Sequence, residues 1–291
     1  MAITMNGAYL NGLDQGGLRT ALAQIPGSAT TDYILFSLNV KSGTSADINF
    51  GNSGPVLATG GQVTAAARNM LFDVITTGVT RAKCQRAWLS LGGAGSNAFT
   101  NIQTILNTGG ALKATLLANF AAIVQLLGAI RGVQAVGFDM DYEEGGTDLA
   151  ALVATVTVAL YNEFKCPVTF CPYAAQSAWI QALQQVYSAL GTQPVAGFNL
   201  QIYAGGAGND PTAWAKAVAA APNTGVPNPA AFVWPIFSCD TTAQPVSTPT
   251  QVTQAMRGYG SAGASLWATA SLPFQGSTLT SYATAIIAGI G

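Results

Sequence analysis

Eight short apolar or β-branched runs recur along the chain, near residues 3–10, 32–40, 86–92, 135–143, 167–173, 195–203, 231–238 and 263–270. Helical patterns follow most of them, the clearest near Gly17 to Ile25, Val63 to Val79, Leu112 to Ile130, Asp148 to Phe164, Ser177 to Leu190, Pro211 to Ala220, Thr250 to Gly258 and Leu279 to Ala288. The runs are apolar on both faces, as parallel strands covered by helices must be. Eightfold alternation of strand and helix therefore predicts an α/β fold, a single closed (β/α)8 barrel of the TIM type. A doubly wound open sheet is the next reading, but it would leave its edges unclosed and would carry a nucleotide-binding loop. Gly93-Ala-Gly-Ser-Asn-Ala98 follows a strand and could open a helix, yet lacks the acid expected about 20 positions later to hold a ribose. Gly258-Tyr-Gly-Ser-Ala-Gly263 precedes a strand, the wrong order. Both are read as turns. The 291 residues suit one barrel, 1–291, because the stretches Gly43 to Gly60, Pro222 to Pro229 and Thr241 to Pro249 are short and read as surface loops.

One run breaks the apolar rule. No carboxylate occurs between Asp73 and Asp139, and then Asp139, Asp141, Glu143 and Glu144 arrive within six positions, in Val136-Gly-Phe-Asp-Met-Asp-Tyr-Glu-Glu. Side chains alternate along a strand, so Asp139, Asp141 and Glu143 share one face while Phe138, Met140 and Tyr142 take the other. Glu144 points away and is given no role. Burying three ionised carboxylates together is costly unless they share protons or find donors, so the row is the candidate active site. A divalent-cation site is the alternative, since Asp-x-Asp-x-Glu also offers oxygen ligands.

Composition removes other chemistries. The chain has no histidine, which excludes Ser-His-Asp and Cys-His catalysis and imidazole metal sites. Cys84, Cys166, Cys171 and Cys239 lack zinc spacing; Cys166 and Cys171 would lie about 16 Å apart on one extended strand, too far to bridge, leaving room for one disulfide elsewhere. With 11 basic and 12 acidic residues and no basic cluster, nucleic acid is not an expected partner. Ala111 to Ile130 is long enough to span a bilayer but carries Lys113, Asn119 and Gln125, so it is read as a barrel helix and no membrane partner is expected. The start of the chain shows no basic segment followed by an apolar one, as a secretory signal would.

Barrel active sites lie at the C-terminal strand ends. Here those ends are polar: Ser90-Leu-Gly-Gly93 on the third strand, the carboxylate row on the fourth, Gln201-Ile-Tyr203 on the sixth, and Trp267 in Ser265-Leu-Trp-Ala-Thr on the eighth. Ser-x-Gly-Gly combined with Gly-x-Asp-x-Asp-x-Glu resembles glycoside hydrolase family 18, the chitinase family. Gln-x-Tyr and Leu-Trp are most similar to its single-domain class III branch and that branch's inactive seed-protein relatives. The resemblance runs from about Asn6 to Trp267.

The resemblance implies Glu143 as general acid, Asp141 as its partner, Asp139 beneath them, Tyr203 near the substrate acetamide and Trp267 as the floor of a sugar subsite. Ser90, Gly92, Gly93 and Gln201 complete the expected substrate-binding set. Independently, side chains two apart on a strand can lean together, and a proton shared between them would keep Glu143 protonated near neutrality. No second carboxylate is evident across the cleft, so the ordinary two-carboxylate retaining scheme is not visible. The family mechanism implied instead has the substrate's N-acetyl oxygen attack the anomeric carbon. Two positions depart from the family: Val136 stands where an aspartate is usual, and Ala204 where Asp or Asn commonly follows the tyrosine. Trp267, read alone, could be core packing, and Trp88, Trp179, Trp214 and Trp234 are read as packing. The expectation is a chitinase-like enzyme acting on chitin or N-acetylglucosamine oligosaccharides, monomeric, secreted, without metal or cofactor. The alternative is an inactive carbohydrate-binding or storage protein. An endo-N-acetylglucosaminidase ranks lower because that group has asparagine where Asp141 stands.

Overall fold

The computed structural model describes residues 5–11, 27–69, 85–146 and 148–290. Its strands are β1 (Asn6–Leu10), β2 (Asp32–Val40), β3 (Ile48–Phe50), β4 (Val56–Thr59), β5 (Gln62–Val63), β6 (Arg86–Gly92), β7 (Ala135–Asp141), β8 (Val168–Phe170), β9 (Val195–Gln201), β10 (Val233–Ser238) and β11 (Ala264–Trp267). Every one of the eight apolar runs is a strand. Parallel pairing runs β2–β6–β7–β8–β9–β10–β11–β1, and β1 pairs back onto β2, which closes the barrel. Helices α1 (Ala98–Thr108), α2 (Gly110–Gly128), α3 (Leu149–Phe164), α4 (Gln176–Leu190), α5 (Pro211–Ala220), α6 (Pro249–Tyr259) and α7 (Leu279–Ile290) surround it.

Two expectations change. Gly43 to Gly60 is not simply a loop: β3, β4 and β5 extend the sheet antiparallel from β2, with Leu38 opposite Phe50. Asn119 anchors this extension to α2, its amide donating to Ala46 O and accepting from Gly61 N. Gly93–Ala98 does lead into a helix, α1. The expected helix from Val63 to Val79 begins at Ala65 behind a Thr64 cap and then leaves the described residues. Gly17 to Ile25 and Cys84 lie outside them altogether. Cys166, Cys171 and Cys239 are free thiols.

Glycine positions explain how the barrel interior is filled. A Cβ on Gly137 would sit 2.4 Å from the Trp88 ring, and one on Gly197 2.5 Å from the Trp234 ring. Both indoles occupy the volume these glycines vacate and pack with Met5, Tyr9, Ile34 and Ile236. Trp179 and Trp214 pack in the outer layer, against Phe170 and Phe198. At the N-terminal end of the barrel, buried Asp32 accepts from Arg86 Nε at 2.6 Å and from Trp88 Nε1 at 2.8 Å. Helix α2 is long and apolar enough to cross a membrane, but it buries Leu116, Phe120, Ile123 and Leu127 at helical spacing, and Phe120 packs edge-on against Phe138 of β7.

Candidate active site

Parallel register brings Ser90 beside Asp139 and Gly92 beside Asp141, and Asp139 beside Thr169. Polar side chains from neighbouring strands thereby meet at one level inside an apolar barrel. Asp139 is fully buried and accepts four hydrogen bonds: Ser90 Oγ at 2.8 Å and Tyr9 OH at 3.2 Å on Oδ2, Thr169 Oγ1 at 2.7 Å and Asn199 Nδ2 at 3.0 Å on Oδ1. Burial pushes its pKa above the usual carboxylate range, and the four donors oppose that shift.

Above it, Asp141 is buried and Glu143 half-buried. Strand β7 ends at Asp141, so Glu143 stands just beyond the ladder, on the same cavity as Asp141. Gln201 Nε2 lies 3.2 Å from both Asp141 Oδ1 and Glu143 Oε1 and bridges them. Asp141 also hydrogen-bonds Glu143 directly. Burial first, then the charges of Glu143 and Asp139, hold Asp141 well above the usual carboxylate range. The sequence pattern places the shared proton on Glu143; in the structure the group that burial lifts is Asp141.

The backbone that holds Asp141 needs glycine. Gly93 N donates to Asp141 O at 2.8 Å, and a Cβ on Gly92, whose φ is +103°, would approach Asp141 O to 2.3 Å. Glu144 turns away as expected and has a use there: it accepts from Phe99 N at 2.5 Å and Thr100 N at 3.0 Å, capping α1.

A cavity of about 400 Å³ opens at the C-terminal strand ends, lined by Gly92, Gly93, Asp141, Glu143, Gln201, Tyr203 and Trp267, all expected from sequence. Ser90 and Asp139 are not on its wall. Ser90 was expected to contact substrate; being fully buried and spent on Asp139, it supports the carboxylates from below. Trp267 is partly exposed, 4.7 Å from Phe36 edge-on and 6.0 Å from Tyr203 with rings nearly parallel at 17°. It is therefore a cavity wall rather than core. Burial raises the Tyr203 hydroxyl well above the ordinary tyrosine range, keeping it a neutral donor.

The two departures separate cleanly. Val136 belongs to the outer core beneath the helices, and by strand alternation it faces away from Asp139 and Asp141. An acid there would not reach the cavity. Ala204 does line the cavity, with φ at +46°.

Sequence reasoning missed Tyr9, Thr169, Cys171, Asn199 and Asp240. Thr169-Phe-Cys171 and Asn199-Leu-Gln201 carried a readable signal, polar residues at every second position of apolar strands. Asp240, just after β10, lies on the cavity wall, so a further carboxylate is present; its Oδ1 accepts from Thr242 N at 2.9 Å and Thr242 Oγ1 at 2.8 Å. It is three strands around the barrel from β7. Among the described residues no cluster of His, Cys, Asp and Glu is arranged to hold a metal ion. Asp139 is held by four donors instead, and burial raises the pKa of Asp141.

No family model matches the chain, and no curated protein matches it. Solved structures do share its fold. A GH18 chitinase from Pseudoalteromonas aurantia superposes with a TM-score of 0.64 at 16% identity, covering 97% of this chain and 98% of that one. A plant class V chitinase mutant from Cycas revoluta, in complex with (GlcNAc)3, gives 0.61 at 13% identity, over 96% and 98%. The chitinase-like agglutinin RobpsCRA from Robinia pseudoacacia gives 0.56 at 12% identity, over 97% and 99%. The shared feature at these identities is the whole-chain barrel.

Proposed function

We propose that the chain is a glycoside hydrolase of the family 18 type, cleaving β-1,4-linked N-acetylglucosamine polymers with retention through substrate assistance. The observation that carries this reading is the Asp141–Glu143 pair, bridged by Gln201 on the cavity wall and seated over buried Asp139. Glu143, the more exposed member, protonates the glycosidic oxygen and is left as the carboxylate. The N-acetyl oxygen of the sugar attacks the anomeric carbon and forms an oxazolinium. Asp141 receives the acetamide N–H and balances the positive charge, and the Tyr203 hydroxyl donates to the acetamide oxygen. Trp267 stacks on the apolar face of the pyranose. Water, activated by Glu143 as base, then opens the oxazolinium on the face the leaving group vacated.

Asp240 is not placed for the two-carboxylate alternative. That scheme needs carboxyls about 5 Å apart flanking one bond. Asp240 follows β10, three strands around the barrel from β7, with Oδ1 accepting from Thr242.

Hydrolysis of chromogenic chitobiose and chitotriose glycosides, native chain against Glu143→Gln, tests the reading. Turnover in the native chain lost in the variant supports it. The competing reading is a sugar-binding or storage protein without turnover, and one of the fold neighbours is a chitinase-like agglutinin. Oligosaccharide-dependent quenching of tryptophan fluorescence with no hydrolysis would move the protein there.

A further inference from the structure

The cavity wall carries a third carboxyl that the proposed reaction does not use. Asp240 lies two positions past the end of β10 and is partly exposed. The β10–β11 register sets Ser238 beside Trp267, and Cys239 N donates to Trp267 O at 2.6 Å. Asp240 therefore stands further out than the indole-bearing residue, toward the mouth of the cavity at the C-terminal strand ends.

The turn that holds it is tied at several points. Ser238 Oγ donates to Asp240 O at 3.3 Å and accepts from Asp240 N at 3.0 Å. Asp240 O also accepts from Ala243 N at 2.9 Å, and Ala204 N, past the end of β9, donates to Gln244 O. Within that turn Oδ1 takes both Thr242 donors. Among the described residues Oδ2 accepts no hydrogen bond and Asp240 makes no ion pair. No lysine or arginine lines the cavity among the described residues, while Asp141 and Glu143 add two more acids to the same space. Lys41 is near but spent, its Nζ donating to the carbonyl of the wall residue Asn52. A ligand that covers Asp240 strips water from a carboxyl, and the loss is offset best when the ligand brings its own cation.

A polymer of N-acetylglucosamine presents one nitrogen per sugar, either as a neutral acetamide or, once the acetyl group is gone, as an ammonium. The substrate-assisted reaction needs the acetamide on the sugar being cleaved, the one seated at Trp267 and the Asp141–Glu143 pair. The neighbouring sugar is under no such demand. We propose that Asp240 is a specificity-determining residue that receives the ammonium of a de-N-acetylated sugar beside the cleaved one, which makes partly deacetylated chains the preferred substrates. The inference rests on the glycosidase reading. An acetamide N–H can also meet Oδ2, but a neutral donor gives a hydrogen bond about half as strong as a charged one. The preference is therefore one of degree.

The test is calorimetry in the Glu143→Gln chain, which does not consume the sugar, at about pH 5.5, where an amine is an ammonium. The probes are fully acetylated chitotetraose and tetramers carrying one glucosamine at each internal position in turn. In dilute buffer at least one glucosamine isomer is expected to bind about 3- to 5-fold more tightly than chitotetraose, with the ratio falling toward one in about 0.5 M salt. Adding Asp240→Asn, which keeps an oxygen for the Thr242 donors, is expected to bring the ratio to one in dilute buffer. Should that variant fail to fold, Asp240→Ser, which keeps an acceptor for Thr242 N, takes its place. Equal affinities for all probes overturn the proposal and leave the glycosidase reading standing. A preference that survives the loss of the Asp240 carboxyl overturns it too, assigning the ammonium to Asp141. Binding of none of the probes would remove the glycosidase reading and this inference with it.

Discussion

Gln201 donates from one amide nitrogen to Glu143 Oε1 over 3.2 Å and to Asp141 Oδ1 over the same distance, so a neutral side chain on β9 bridges the last acid of β7 and the acid just beyond it. Hydrogen bonds to charged groups contribute about 1.5–3 kcal/mol, which is roughly 10- to 100-fold in rate if the pair is organised only by that bridge. Gln201→Leu is expected to lower kcat/KM on chitotriose glycosides by about that factor with the fold intact by circular dichroism. Unchanged kinetics would show that the direct Asp141–Glu143 bond suffices.

Burial raises both Asp139 and Asp141 above their unfolded values, and this has a sign for stability. A carboxyl raised on folding contributes stability that is fully present below its unfolded pKa, about 3.9, and is lost as pH rises through the folded value. Urea midpoints are expected to fall from acid toward neutral pH. Asp141→Asn, which cannot ionise, is expected to flatten the fall and to be more stable than the native chain at neutral pH. A native midpoint that climbs toward neutrality would contradict this.

Gly92 combines a φ of +103° with a virtual Cβ 2.3 Å from Asp141 O. Gly145 also has positive φ, +63°, but meets nothing within 4 Å. Gly92→Ala is expected to cost about 3 kcal/mol or more and to reduce activity, because the clash displaces the backbone of Asp141, whereas Gly145→Ala costs about 1 kcal/mol. Equal losses in thermal denaturation would rule out the close approach as the reason for glycine.

At the opposite end of the barrel, Asp32 is wholly buried and paired with Arg86 at 2.6 Å. Asp32→Ala leaves that guanidinium without its carboxylate and is expected to cost about 3–5 kcal/mol. Activity per folded molecule should hold, since stability and chemistry occupy opposite faces of such a barrel. A selective loss of kcat in the folded fraction would break that separation.

Trp267 forms the cavity wall with Tyr203 and Phe36. Trp267→Ala is expected to weaken chito-oligosaccharide binding by about 2 kcal/mol, the scale of an aromatic hot spot, read by calorimetry. An unchanged affinity would return Trp267 to a packing role.

Much of this was legible in the chain. The eight apolar runs marked all eight barrel strands, since parallel strands covered on both sides must be apolar throughout. The acids at Asp139, Asp141 and Glu143 declared a shared face, because alternation is local geometry that needs no knowledge of neighbours. Glycines at 92, 93, 137 and 197 were equally local in the sequence, but which ring or carbonyl each one makes room for was not.

What only the tertiary structure decided is who meets whom across the barrel. Tyr9, Thr169 and Asn199 reach Asp139 from 130, 30 and 60 positions away. Those meetings depend on strand register and closure, to which no single segment's pattern is sensitive. The same holds for Ser90, whose motif pointed to substrate while its register put it under Asp139. Val136 shows the converse: alternation in its own strand already sends it outward, and the helical layer packed on it gives the reason an acid is not needed there. Periodicity is written in neighbouring residues and survives in one dimension; a hydrogen-bond partner is chosen by the closed sheet.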